Sequence, residues 1–185
     1  MAVVLSDRIY TVEDYMKLDD GQRYELIGGN LIMVPSPSTN HQRITGKIYR
    51  LLSDFAEKKQ LGEVFDAPMD VVLDNQVIQP DILYISKDKS SIIGELNIQG
   101  APDLVVEVLS PSTATYDRKK KSRLYFKHGV KEYWLVDPDV KFVDVYVAGE
   151  KEWLWIGAFD QEDVLTTALL PGLEISLAEV FKGLK

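Results

Sequence analysis

The chain has 185 residues, 45% of them hydrophobic and 27% charged, values that fit a single globular domain over 1–185 and exclude a disordered or fibrous polypeptide. It contains no cysteine, so disulfides, thiolate zinc sites and cysteine nucleophiles are all excluded, and a reducing, cytoplasmic setting is expected. A formal net charge of -8 argues against coating nucleic acid with a broad basic surface, but it is compatible with a small basic patch beside an acidic metal site.

The apolar run Met1–Leu5 is too short for a signal peptide and lacks a basic flank. No later stretch approaches the roughly 18–20 apolar residues of a membrane span, so a soluble chain with no membrane partner is expected. Thr11, followed by Glu13 and Asp14, caps a short helix running to about Leu18, where Asp19-Asp20-Gly21 stops it. Arg23–Ile27 and Leu31–Val34 read as a hairpin joined through Gly28-Gly29-Asn30. Pro35-Ser36-Pro37 breaks the strand, Ser38 or Thr39 caps the next helix, and Ile44, Ile48, Leu51, Leu52 and Phe55 recur at helical spacing to about Lys59.

Glu63 to Leu73 reads as two short strands bent at Pro68, and Asp74-Asn75-Gln76 turns toward a strand carrying Asp81. Ser86 to Ala101 is a polar loop with room for a helical turn, after which Leu104–Leu109 forms an apolar strand with Glu107 in its middle. A loop, Ser110-Pro111-Ser112-Thr113, precedes an amphipathic basic helix from about Thr115 to His128, ended by Gly129. Tyr133–Val136, Phe142–Val147, Trp153–Ile156 and Val164–Thr167 are strands, and Ser176 caps a last helix through Phe181. The order predicts a mixed α/β fold, a central mixed β-sheet flanked by helices.

Asp81 and Glu107 stand out because a carboxylate on so apolar a strand needs a cation or a proton. Two such acids followed by the basic helix Asp117-Arg118-Lys119-Lys120-Lys121 suit a site for a hard divalent metal and a phosphate. Asp117, Lys121 and Tyr125, spaced i, i+4 and i+8, share one helix face. Asp117 and Tyr125 are candidate substrate contacts on that face, and Lys119 and Lys120 belong to the one basic cluster able to follow a phosphodiester backbone. His41, next to Ser38 and Thr39 at a helix start, is a candidate phosphate contact. The two histidines offer no triad with Ser110 or Ser112, and no phosphate-binding loop or dinucleotide fingerprint is present.

Several spaced runs carry a resemblance. They are Arg23-Tyr24-Glu25-Leu26-Ile27-Gly28-Gly29, Gln79-Pro80-Asp81, Ala101-Pro102-Asp103 through Glu107 to Thr113, Asp117, Lys121, Tyr125, and Gly129 through Tyr133-Trp134 to Asp137-Pro138. Together, across about Tyr10 to Leu177, the chain resembles the bacterial restriction endonuclease-like family of the PD-(D/E)XK nuclease superfamily. The resemblance implies a restriction endonuclease-like fold and Mg²⁺- or Mn²⁺-dependent hydrolysis of DNA phosphodiesters by a homodimer. It implies that Asp81, Glu107 and Glu25 hold the metal and, with Lys121, make up the catalytic set. The superfamily places its lysine two residues after the second acid, where this chain has Leu109, so Lys121 on the following helix is expected to supply the ammonium. The competing expectation is a catalytically inactive module that keeps the fold and binds a partner through Tyr133, Trp134 and the C-terminal β region.

Overall fold

In the computed structural model, which describes residues 8–111 and 114–184, each element starts or stops where the local chemistry dictates. The run Met1–Leu5 and the Ser112-Thr113 pair lie outside the described residues. Helix α1 (Val12–Met16) opens on a reciprocal box in which the Thr11 hydroxyl accepts the Asp14 N–H and the Asp14 carboxylate accepts the Thr11 N–H. Strands β1 (Tyr24–Ile27) and β2 (Asn30–Met33) form a hairpin whose two-residue turn needs positive φ at both positions, supplied by Gly28 at 61° and Gly29 at 75°. Helix α2 (Thr39–Lys59) is capped by the Ser38 hydroxyl, which accepts the His41 N–H at 3.2 Å. Its buried stripe is Ile44, Ile48, Leu52 and Ala56.

Strands β3 (Gly62–Asp66), β4 (Val71–Leu73), β5 (Gln76–Ile78) and β6 (Ile82–Ser86) follow. After a 3₁₀ segment (Lys87–Ile92) come β7 (Ile98–Gln99) and β8 (Leu104–Val108). The basic helix is built in three parts: α3 (Ala114–Tyr116), a π turn (Asp117–Lys121) and α4 (Ser122–His128), stopped by Gly129 at φ 87°. Strands β9 (Glu132–Asp137), β10 (Phe142–Ala148), β11 (Trp153–Phe159), β12 (Val164–Leu165) and β13 (Ile175–Ser176) lead to α5 (Leu177–Phe181).

The larger sheet runs β11-β10-β9-β8-β6-β3, antiparallel except for the parallel pair β8–β9. That parallel pair requires a crossover, and the basic helix provides it. The second sheet runs β2-β1-β5-β4-β7. Alternation along β8 divides the core. Val106 and Val108 pack with the α2 and α5 residues Ile48, Leu52, Val180 and Phe181, whereas Val105 and Leu109 pack with Tyr125 of α4 and with Val71 and Leu73 of the second sheet. The mixed α/β architecture flanked by helices is therefore the observed one.

Some local expectations change. The Asp74-Asn75 turn leads first into β5, and Asp81 sits in the bend just before β6 rather than within it. In the polar stretch 86–101 the helical turn is present as the 3₁₀ segment, whereas β7 there and β13 later are additions to the expected strands. Ser176 makes no side-chain cap to α5 because it belongs to the β12–β13 ladder. Tyr133 and Trp134 are fully buried because β9 is a central strand covered on both faces, so neither can present a docking surface. Among the described residues no helix is long and apolar enough to cross a membrane.

Candidate active site

Glu107 lies on the β8 face that looks toward the crossover helix, and the helix answers it with an ammonium and a phenol. The Lys121 ammonium lies 3.1 Å from Glu107 Oε1, 2.8 Å from Glu25 Oε1 and 3.5 Å from Asp117 Oδ1. The Tyr125 hydroxyl donates to Glu107 Oε1 at 2.5 Å. Residues scattered from position 25 to position 125 thus meet around one nitrogen. Exposures of 4% for Glu25, 3% for Glu107, 2% for Asp117 and 6% for Lys121 put the cluster beneath the surface.

Three carboxylates share one cation, which sets the electrostatics. Burial pushes the Glu25 carboxyl up. It pushes Glu107 well above the ordinary range, because Asp117, Asp81 and Glu25 add negative charge that Lys121 only partly offsets. Burial alone would pull the Lys121 ammonium down, but Glu107, Glu25 and Asp117 reverse that and hold it well above its usual value. The lysine is therefore locked in its charged form.

Backbone donors fix the acids' positions. The Gln79 N–H donates to Glu25 Oε1 at 3.0 Å, and the Val108 N–H donates to Asp81 Oδ2 at 2.8 Å. His41 Nε2 lies 3.0 Å from that same Asp81 oxygen, carried there by the first turn of α2. Gln79 is itself held through Arg23 and Asp70. The sequence gives it no functional mark beyond its place before Pro80, which forces extended backbone.

Asp117 and Lys121, four residues apart, face inward together at the two ends of the π turn. Such turns are uncommon and cluster at functional sites. Two aromatic side chains donate to carbonyls at its ends: the Tyr133 hydroxyl to Asp117 O at 3.2 Å, which the Ser122 N–H also meets, and Trp153 Nε1 to the O of Ser122, the first residue of α4, at 3.0 Å. Tyr125, Tyr133, Trp153 and Phe126 stack in one group, with centroid separations of 5.2, 5.9 and 5.4 Å.

A cleft of about 420 Å³ opens over the cluster, lined by Glu25, Asp81, Glu107, Asp117, Lys121 and His41 among others. The other sequence candidates fall elsewhere. Tyr125 is fully buried behind Glu107 and outside the cleft lining, so it supports Glu107 rather than contacting substrate. Lys119 and Lys120 are exposed and do not line the cleft, although the Lys120 ammonium lies 5.1 Å from the centre of the Tyr116 ring. Arg118 is tied to Asp137 at 3.6 Å and Asp144 at 3.2 Å. Tyr116, missed from the sequence, lines the cleft with a buried hydroxyl that has no hydrogen-bond partner among the described residues. It stands five residues before Lys121, the spacing of a π turn, which a 3.6-residue period conceals.

Among the described residues no three Asp, Glu or His side chains stand arranged as a ready-made cation cage, and the Lys121 ammonium lies between Glu25 and Glu107. The donor set nevertheless fits a hard divalent ion. It offers carboxylate oxygens only, and the surplus of buried negative charge over one ammonium is what an added cation would relieve.

Residues 12–178 match the family model described as "Uma2: Putative restriction endonuclease". The chain belongs to the Uma2 family. Two relatives in Synechocystis sp. strain PCC 6803 are the uncharacterized proteins sll1609 and slr1290. The first is 27% identical over 159 residues, 83% of this chain and 90% of that one. The second is 27% identical over 180 residues, 93% of this chain and 91% of that one. The crystal structure of "a putative nuclease belonging to DUF820" from Anabaena variabilis superposes with a TM-score of 0.78 at 23% identity, covering 92% of this chain and 97% of the other, and so shares the fold.

Proposed function

We propose that this Uma2 protein is a metal-dependent DNA endonuclease that hydrolyses phosphodiester bonds in the cleft over Lys121. The observation that carries the reading is the convergence of Glu25, Glu107 and Asp117 on the Lys121 ammonium, next to Asp81. Asp81 and Glu107, with Glu25 beside them, would hold Mg²⁺ or Mn²⁺, which supplies an acidified water and neutralises charge on the phosphoryl group. The protein's own groups do the rest. Lys121, charged throughout the accessible pH range, orients the attacking water and stabilises negative charge on the non-bridging oxygens. Tyr125 fixes Glu107 Oε1 and the Val108 N–H fixes Asp81 Oδ2, so the two acids meet the incoming phosphate pre-oriented.

A homodimer through the β11 edge, where Leu154, Trp155 and Ile156 are 54%, 60% and 55% exposed, would pair two such sites. The direct test incubates the protein with duplex, nicked, branched and single-stranded DNA in Mg²⁺ or Mn²⁺, and records the metal-induced rise in melting temperature in parallel. Cleavage that disappears in Asp81→Asn, together with a Tm response lost in the same variant, is expected. Metal binding without cleavage of any substrate would assign the protein to the inactive-module class instead.

A further inference from the structure

Among the described residues the cleft is lined by the carboxylates of Glu25, Asp66, Asp81, Glu107 and Asp117 against two side chains of fixed positive charge, Arg23 and Lys121. The two cations are placed differently. The Lys121 ammonium has three carboxylate oxygens within 3.5 Å, so its charge is more than matched before any ligand arrives. The Arg23 guanidinium forms no ion pair among the described residues. Acids outnumber lysines and arginines 29 to 21 in this chain, so an arginine lining an acid-rich cleft has no shortage of carboxylates, and a specific contact keeps it unpaired.

That contact is Gln79. Its amide oxygen accepts from Arg23 Nε and Nη2, both at 3.1 Å, while its amide nitrogen donates to Asp70 Oδ1 at 2.8 Å. A carboxylate only accepts and a guanidinium only donates, so these two neighbours fix which end of the amide faces which. The amide is a neutral spacer between Asp70 and Arg23, and it holds the guanidinium in place without neutralising it. Gln79 takes the Nε side of the guanidinium, and the Nη1 end has no acceptor among the described residues. That end is a planar fork of donors, the shape that meets two oxygens of one phosphate. The backbone sets its direction. The Val34 N–H donates to Arg23 O at 2.9 Å, so the β1–β2 ladder continues one residue before Tyr24, and Arg23 shares a face with Glu25. Gln79 also gives its own N–H to Glu25 Oε1 at 3.0 Å, the oxygen that meets the Lys121 ammonium, and so ties the guanidinium to the acid cluster.

We infer that Arg23 is the residue by which the cleft grips a phosphate of the nucleic-acid strand, with its Nη1–Nη2 end on the non-bridging oxygens. The inference rests on the nuclease reading above and adds a substrate-binding residue to it. Arg23 supplies positive charge that no acid consumes, which lets a polyanion enter a cleft where carboxylates outnumber cations. Its contact is with the backbone, so it carries no base preference.

The test uses two labelled DNA oligonucleotides of unrelated sequence, each single-stranded and paired. Binding to the parent, Arg23→Met and Arg23→Lys is measured by fluorescence anisotropy in Ca²⁺ over a series of NaCl concentrations, and cleavage by the parent is measured in Mn²⁺. Arg23→Met should weaken binding of both sequences by at least about tenfold, the scale of hydrogen bonds to a charged group. It should also lower the salt slope by about 0.7–0.9, the share of one phosphate no longer neutralised. Arg23→Lys should keep the parent's slope, because the charge stays, and bind between the other two, because the fork is lost. Both variants should keep the parent's Mn²⁺-induced rise in Tm, because Glu25 retains the Gln79 N–H. Three results overturn the inference and leave the nuclease reading standing on the parent's cleavage: an unchanged salt slope in Arg23→Met, a loss confined to one sequence, which would put Arg23 on a base, or a lost Mn²⁺ response, which would make its role structural. A parent that neither binds nor cuts any of the oligonucleotides overturns both.

Discussion

Replacing Lys121 with methionine keeps the volume of the stem and removes the ammonium, with its charge and its hydrogen bonds to Glu107 and Glu25, so it isolates the ammonium's contribution. In the variant, Glu25, Glu107 and Asp117 remain at 4%, 3% and 2% exposure with no cation among them. Glu25 keeps the Gln79 N–H and Glu107 keeps the Tyr125 hydroxyl, so each acid retains one hydrogen bond while the ammonium's own hydrogen bonds and its charge compensation are lost. Removing one partner of a buried ion pair costs about 3–5 kcal/mol, which for a chain of this size lowers Tm by roughly 6–20 °C. The loss depends on pH. Glu25 and Glu107 already have folded pKa values raised above their ordinary 4.5 by burial, and without Lys121 they rise further. A group with a raised folded pKa gives stability that is full below the unfolded pKa and lost as pH rises through the folded one. The deficit of the variant should therefore be small near about pH 5 and grow toward about pH 7.5. Urea unfolding in EDTA, followed by the fluorescence of buried Trp134, measures it at both pH values. A deficit under about 1 kcal/mol near neutrality, or one that does not change with pH, would refute the electrostatic account.

Tyr125→Phe removes a 2.5 Å hydrogen bond to a buried carboxylate and should cost about 1.5–3 kcal/mol in the same urea assay, whereas a change within about 0.5 kcal/mol would mean the phenol carries no weight there. Lys119→Ala and Lys120→Ala should weaken DNA binding modestly and flatten its dependence on salt by about 0.7–0.9 for each phosphate no longer neutralised, and an unchanged salt slope would remove both residues from the DNA path. Sedimentation of the parent at micromolar concentration should show a dimer that Trp155→Lys converts to monomer, since that edge strand has an exposed apolar run with no charge to blunt it. A parent that sediments as a monomer throughout would dismiss the β11 interface.

The hairpin, the long α2 helix and the central strands are readable in the sequence because their signals are local: glycines at a two-residue turn, a serine cap before a 3.6-residue stripe, and continuous apolar runs. Glu107 is readable for a related reason, as one acid in a strand whose every residue is buried. The order of the larger sheet is not legible, because β3 pairs with β6 and β6 with β8 across loops whose lengths carry no pairing information. Strands β5, β7 and β13 are only two or three residues long, too short for an alternation pattern to appear. Trp153 looks like interface material by composition, yet its indole is folded against Phe126 and donates to Ser122, so only its neighbour Trp155 remains outside.

The position of the lysine ties these observations together. A lysine two residues after Glu107 would share its strand face and need no help from elsewhere, but Leu109 fills that place and packs in the core between β8 and α4. Supplying the ammonium from the crossover helix makes the site depend on that helix's phase, and the π turn at 117–121 sets the phase. Tyr133 of β9 donates to Asp117 O and Trp153 of β11 donates to Ser122 O, so both strands brace the ends of that turn although neither lines the cleft. The aromatic group behind the helix is therefore positioning machinery. That role fits the placement of three large aromatic side chains, Tyr125, Tyr133 and Trp153, on one side of the sheet, where aliphatic residues could fill the volume but could not donate to Glu107 and to the carbonyls of Asp117 and Ser122.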